Sequence, residues 1–156
     1  QAERWLAEQG VRDPSIALAE AGYAPIAALA LADPERQGMR ALFLESLADP
    51  SDLDAVALAE RMQAAEPAVL VGWLQRWCYD MMRLQCGTAP RFNPDFAQAL
   101  ERLAARADRC GLLVLARQLG EAQRFAAHTL NPRLFAESLL LYYSRSMTPA
   151  TDSRRG

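Results

Sequence analysis

Residues 67–86 read PAVLVGWLQRWCYDMMRLQC, and this stretch decides the fold class. Proline is favoured at the first position of a helix, because the amide it lacks would have no partner there. The large apolar residues then recur every three or four positions, as on the buried face of a helix. They are Leu70, Trp73, Leu74, Trp77, Met81 and Leu84. The stretch therefore predicts a long core helix, on whose other side Arg76, Asp80 and Arg83 are spaced to pair.

The rest of the chain has the composition of a helical protein. Its 156 residues include 30 Ala and 23 Leu, which are strong helix formers, but only 11 of the β-branched residues that strands favour. The hydrophobic fraction of 51% and the charged fraction of 23% are those of a folded globular protein. The composition therefore predicts an all-α helical bundle and excludes a sheet protein.

Capping signals divide the chain into nine predicted helices. Asp or Asn before Pro, or Ser alone, marks the starts at Asp13, Asp33, Ser51, Asn93 and Asn131. Glycines that can adopt a positive φ mark stops at Gly10, Gly22, Gly87 and Gly111. The predicted helices span 2–9, 14–21, 25–32, 34–48, 52–64, 67–86, 94–110, 112–128 and 132–146. The polar residues 149–156 are predicted to form a flexible tail.

Charge and residue content argue against several function classes. The net charge of −2 lacks the basic surplus of nucleic-acid-binding domains, and no apolar run approaches the ~18 residues of a membrane span. No metal-ligand spacing is formed by Cys78, Cys86, Cys110 and His128. The number of cysteines is odd, which fits a protein of the reducing cytoplasm. There is no phosphate-binding loop and no catalytic cluster. We therefore expect no catalytic activity, no cofactor, no metal, and no nucleotide, nucleic-acid or membrane partner.

The last predicted helix has more apolar surface than one core needs. Residues 139–143 are all large and apolar or aromatic, so their side chains project from every side of the helix. Such a helix is either central in its own domain or packed on two sides, one of them a partner chain, and we favour the second. The predicted partner-interface residues are Leu134, Phe135, Leu140, Tyr142 and Tyr143, with parts of helices 94–110 and 112–128 beside them.

Three segments, at residues 17–29, 73–84 and 131–141, together resemble parts of the delta-prime subunit family of bacterial DNA polymerase III clamp loaders. Residues 17–29, ALAEAGYAPIAAL, resemble the end of the family's helical lid domain, where a Gly-x-x-Pro turn separates two short helices. Residues 73–84, WLQRWCYDMMRL, resemble the long helix of its C-terminal domain. Residues 131–141, NPRLFAESLLL, are similar to its closing signature. The three segments stand in the family's order and at its spacing.

The resemblance implies a fragment of a longer protein, and the start QAERWL, which lacks Met, fits the middle of a helix. It implies the end of a lid domain at residues 1–32 and a helical collar, or oligomerisation, domain at 33–148. It further implies a non-catalytic role, in which collar domains hold the loader ring together during sliding-clamp loading in DNA replication. The implied partners are the tau/gamma and delta subunits, in a hetero-oligomer. The family's zinc-binding cysteines and its arginine finger are not carried over to this chain.

Two other functions stay open on the residues alone. If Trp73, Trp77, Met81 and Tyr142 line an apolar pocket between helices, the chain is a small-molecule-binding helical regulatory domain. An unrelated helical bundle, including one that contacts DNA, is the further alternative.

Overall fold

The chain is all-helical in the computed structural model, which describes residues 1–148. Nine α-helices lie in this range: α1 Ala2–Glu8, α2 Pro14–Glu20, α3 Pro25–Leu31, α4 Pro34–Leu47, α5 Ala55–Arg61, α6 Pro67–Gln85, α7 Ala97–Arg106, α8 Arg109–Phe125 and α9 Pro132–Met147. Single turns of 3₁₀ helix lie at Pro94–Phe96 and Ala126–His128. The all-α prediction is confirmed, whereas the predicted flexible tail at 149–156 lies outside the described residues.

Helix starts follow the prediction where a capping side chain reaches the backbone. Asp33 and Asn131 cap α4 and α9, each accepting a hydrogen bond from an amide three residues on, at 2.8 and 3.0 Å. The predicted cap Ser51 is wrong, because its hydroxyl donates to a neighbouring carboxylate instead. Helix α5 begins only at Ala55, where the Asp54 side chain is the cap.

The predicted helix 94–110 is divided in the structure. Helix α7 ends at Arg106, and α8 begins at Arg109 because the Asp108 carboxylate accepts a hydrogen bond from the Gly111 amide at 2.7 Å. Gly111, predicted as a helix stop, therefore lies in the first turn of a helix. The other predicted glycine stops have positive φ values and are confirmed at Gly10, Gly22 and Gly87.

Two hydrophobic cores lie among the described helices. The larger surrounds α6, which packs against α7, α8 and α9, and there Trp73, Trp77 and Met81 are at most 1% exposed. The smaller joins α1, α2 and α3 through Leu6, Ala17, Leu18 and Ala28. The division between lid and collar domains at residue 33 stays a prediction.

A buried carboxylate joins the N-terminal helices to the larger core. Glu20, the last residue of α2, is 1% exposed and accepts hydrogen bonds from Arg36 at 2.6 Å, Gln37 at 2.8 Å and Trp73 at 3.0 Å. Burial raises the pKa of Glu20, but these three hydrogen bonds and the charge of Arg36 outweigh it, so the pKa lies below its ordinary value of 4.5. The ionised carboxylate therefore ties α2 to α4 and α6.

A second buried carboxylate fixes the loop that follows α6. Asp80 is completely buried and accepts hydrogen bonds from the backbone amides of residues 91–93, at 2.7 to 3.2 Å, and from the Asn93 side chain at 2.9 Å. The predicted pairing of Asp80 with Arg76 and Arg83 is therefore wrong, because the loop's donors occupy the carboxylate.

Arg40 connects these two carboxylate sites from α4. Its side chain is 2% exposed and donates to the Asp95 carboxylate at 2.8 and 3.2 Å and to Asn93 Oδ1 at 2.8 Å. Its Nε lies 3.8 Å from Glu20 Oε2. Asn93 precedes the helical turn at Pro94 as predicted, but its side chain makes no capping hydrogen bond, because it contacts Arg40 and Asp80 instead.

We expect Glu20→Gln to lower the free energy of unfolding at pH 7 by about 3 kcal/mol, because the amide removes the buried charge that pairs with Arg36 and cannot accept all three hydrogen bonds from Arg36, Gln37 and Trp73. A carboxylate whose pKa is lowered on folding stabilises fully above its unfolded pKa of about 4.5, and that stabilisation is lost as pH falls through the folded pKa. The difference in free energy of unfolding between wild type and Glu20→Gln should therefore become smaller below pH 4.5, which urea unfolding at several pH values measures.

Glu60→Gln is the matched control for this experiment, because Glu60 lies exposed on α5. Its effect should stay within about 0.5 kcal/mol. The role of Glu20 would be contradicted if both variants lost equal free energy of unfolding, or if the loss in Glu20→Gln were the same below pH 4.5 as at pH 7.

Candidate subunit interface

Helix α9 packs against α5, α6 and α8 and has two unlike faces. The inner face is buried and carries Ala136, Leu139, Leu140 and Tyr143. The opposite face carries Leu134, Ser138, Leu141, Tyr142 and Arg145, all of them exposed. On this outer face the exposed fractions are 57% for Leu134, 39% for Leu141 and 47% for Tyr142. The run 139–143 is thus divided between the chain's own core and its surface.

Two of the five predicted interface residues belong to the chain's own core. Leu140 is 1% exposed and Tyr143 is completely buried, so in this structure neither side chain is accessible at the surface. Phe135 is partly buried at the edge of the larger core. Leu134 and Tyr142 lie on the outer face, and for them the interface stays a prediction.

The Tyr143 hydroxyl forms two hydrogen bonds inside the core. The hydroxyl accepts a hydrogen bond from Trp77 Nε1 at 3.1 Å and donates one to the Leu47 carbonyl oxygen at 2.7 Å. Burial raises the pKa of Tyr143 above its ordinary value of 10.0, so the phenol stays protonated and keeps donating. The hydroxyl thus links α4, α6 and α9 inside the core.

Further exposed apolar side chains lie on α8 and on its connection to α9. They are Leu113, Val114, Phe125 and Leu130, each more than half exposed. Helices α8 and α9 run antiparallel, because Gly111 in the first turn of α8 lies close to the carbonyl oxygen of Ser146 in the last turn of α9. Leu113, Val114 and Phe125 lie in the helix 112–128 that was predicted to contribute to the interface, although none of the four residues was named individually.

Helix α7 contributes differently from what was predicted for residues 94–110. Within the described chain it exposes no large apolar side chain, and its outer positions are largely polar or charged. The candidate interface is therefore the outer surface of α8 and α9.

The structure does not form the apolar pocket of the small-molecule alternative. Trp73, Trp77 and Met81 are closed into the core, whereas Tyr142 lies on the surface, so the four residues line no common cavity. Burial raises the pKa of Cys78 to about 12, so this thiol stays protonated and unreactive at neutral pH.

Residues 1–148 contain neither a candidate metal site nor a single helix that could span a membrane. No group of three His, Cys, Asp or Glu side chains there is placed to hold a metal ion. No single helix there has both the length and the apolar character to cross a membrane, and α2 and α3 meet those criteria only jointly, as a pair bent by 106°.

Residues 34–145 match the family model of the C-terminal domain of the DNA polymerase III delta subunit. The match runs from α4 into α9 and thus includes the larger core and the outer face of α9, but not α1, α2 or α3. No curated protein and no solved structure matches the chain significantly.

We expect Tyr143→Phe to lower the free energy of unfolding by about 1–3 kcal/mol, because the buried Trp77 Nε1 and Leu47 carbonyl then lose their partner. Tyr142→Phe is the matched control and should change it by less than about 0.5 kcal/mol, because the Tyr142 side chain is half exposed. Chemical denaturation of both variants measures the difference, and equal effects would contradict the assignment of the two faces.

Proposed function

Because the chain belongs to the family formed by the C-terminal domains of DNA polymerase III delta subunits, we propose that it is a non-catalytic assembly domain of the clamp loader. The family match over residues 34–145 is the observation that carries this proposal. An assembly role also agrees with the distribution of polar groups. The buried carboxylates Glu20 and Asp80 are each fully engaged in holding helices together, which leaves them no part in chemistry.

Within this family we assign the chain to the delta-prime type. The assignment rests on the resemblance of residues 17–29, 73–84 and 131–141 to delta-prime, in matching order and spacing. On this assignment residues 1–32 are the end of the lid domain and residues 33–148 form the collar domain. The separate hydrophobic core of α1, α2 and α3 supports that division.

The proposed partners are the tau/gamma and delta subunits, which the domain would join in the ring that loads the sliding clamp. The outer face of α9 supports a lasting protein contact, since Leu134, Leu141 and Tyr142 are exposed within one continuous helical stripe. Aromatic side chains such as Tyr142 often dominate binding energy at such surfaces. An interface of this kind typically buries more than about 1,000 Å².

No observation favours the small-molecule alternative, because three of its predicted pocket residues are packed into the core and the fourth, Tyr142, lies on the surface. Binding to other subunits is therefore the activity to be tested.

We expect the double variant Leu134→Glu and Tyr142→Glu to weaken binding to the tau/gamma and delta subunits by about 30-fold or more. Two buried carboxylates without partners would replace apolar contacts at the centre of the proposed interface. Co-purification and titration by surface plasmon resonance measure the loss, while the melting temperature should change little because both positions are exposed.

Ile26→Glu is the control, since Ile26 is 82% exposed on α3, outside the matched region. It should leave binding to the other subunits intact. The proposal fails if the folded wild-type chain binds none of these subunits, and the interface assignment fails if the double variant and the control bind alike.

A further inference from the structure

A cluster of arginines and aromatic rings lies where the loop after α6 folds back against α2 and α6. Its members are Tyr23, Arg76, Tyr79, Arg83, Arg91 and Phe92, which we call the arginine–aromatic patch. These residues come from three separate parts of the sequence, so the patch exists only in the folded chain.

Guanidinium groups and rings alternate along the patch. The Arg91 guanidinium lies 6.0 Å from the ring centre of Tyr23 and 5.7 Å from that of Phe92. Phe92 in turn meets Tyr79 edge to face, with ring centres 5.4 Å apart. The side chain of Arg83 lies 6.0 Å from the Tyr79 ring centre and that of Arg76 lies 5.8 Å from the Phe92 ring centre. The patch is therefore one continuous surface.

The backbone under this surface is fixed. Asp80 holds the amides of Arg91 and Phe92 from below, at 2.7 to 3.2 Å. Tyr23 has a φ of +69°, a left-handed conformation that a bulky residue rarely adopts. Its amide donates to the Leu18 carbonyl oxygen at 2.6 Å, which closes the turn after α2. The fold thus fixes the backbone positions that carry Tyr23, Arg91 and Phe92.

The patch is positive and partly open to solvent. None of Arg76, Arg83 and Arg91 forms a salt bridge with a carboxylate in the described part of the chain. Two buried carboxylates lie near them: Asp80 is engaged by the loop, and Glu20, whose charge acts on Arg76, accepts its hydrogen bonds from Arg36, Gln37 and Trp73. Tyr23 is 58% exposed and Tyr79 is 40% exposed. Within residues 1–148, three cations without a carboxylate partner therefore lie beside two accessible rings.

We propose that the arginine–aromatic patch binds single-stranded DNA. Arginines attract the phosphates, and exposed aromatic rings stack on bases, which is the combination that single-strand-binding surfaces use. Duplex DNA hides the faces of its bases, and an acidic peptide would satisfy the arginines but leave the rings uncovered. The choice of DNA as the polyanion rests on the proposed function, whereas the existence of the patch follows from the structure alone.

This proposal departs from the expectation that the chain contacts no nucleic acid. That expectation came from the net charge of −2, which averages over the whole surface. The patch concentrates three arginines in one place, and binding depends on that local charge.

The test is fluorescence anisotropy with a labelled oligo-dT of about 16 nucleotides, titrated with the whole 156-residue chain at several salt concentrations. If three phosphates are neutralised, the logarithm of the binding constant should fall with the logarithm of salt with a slope of about −2. Arg83→Ala and Arg91→Ala should each reduce that slope by about 0.7.

Ring variants test the stacking contribution. Tyr23→Ala and Tyr79→Ala should each weaken binding by roughly fivefold or more, whereas Tyr23→Phe and Tyr79→Phe should retain it, because phenylalanine keeps the ring. Arg61→Ala and Arg124→Ala are the matched controls, since both arginines are exposed on helices outside the patch, and neither should change the affinity. Circular dichroism melting confirms that each variant is folded.

Three results would overturn the proposal. They are no binding at low salt by the folded wild-type chain, equal losses in patch and control variants, and tighter binding of a poly-glutamate peptide than of oligo-dT. The last would assign the patch to an acidic protein segment. If oligo-dT fails to bind while the chain still joins the other loader subunits, this inference fails and the proposed function stands.

Discussion

Two buried carboxylates join parts of this chain that hydrophobic packing leaves separate. Glu20 and Asp80 are at most 1% exposed, and a buried ionised carboxylate is stable only when donors surround it. The donors for Glu20 come from α4 and α6, and those for Asp80 come from the loop after α6. Arg40 lies beside both sites. The relative positions of α2, α4, α6 and that loop therefore depend on one another.

Local signals in the sequence account for most of the helices, because those signals act over a few residues. The apolar period of residues 67–86 and the caps Asp33 and Asn131 act within one or two turns, and the structure follows them. The division of 94–110 was missed because Asp108 outweighs a continuous apolar pattern as a cap. The roles of Asp80 and Asn93 depend on partners more than ten residues away, which no local pattern reveals.

The candidate interface was predictable only in part, for a related reason. The run 139–143 correctly indicates that apolar side chains leave α9 on more than one side. The helical period alone does not say which side meets the chain's own core. That choice follows from the packing of α5, α6 and α8, and it places Leu140 and Tyr143 inside and Tyr142 outside. The same packing exposes Leu113 and Val114 on α8, in a run of the same kind.

The carboxylate that fixes the loop also determines the charge of the surface above it. In sequence, Arg76, Asp80 and Arg83 have the spacing of a self-neutralising series on one helix. In the structure, Asp80 accepts hydrogen bonds from the backbone amides of residues 91–93 instead of pairing with the arginines. A buried carboxylate is stable only when several donors surround it, and the loop supplies them. Both arginines are left without their expected counterion and lie against aromatic rings instead. A contact that stabilises the fold thereby creates a positive surface in a chain whose net charge is negative.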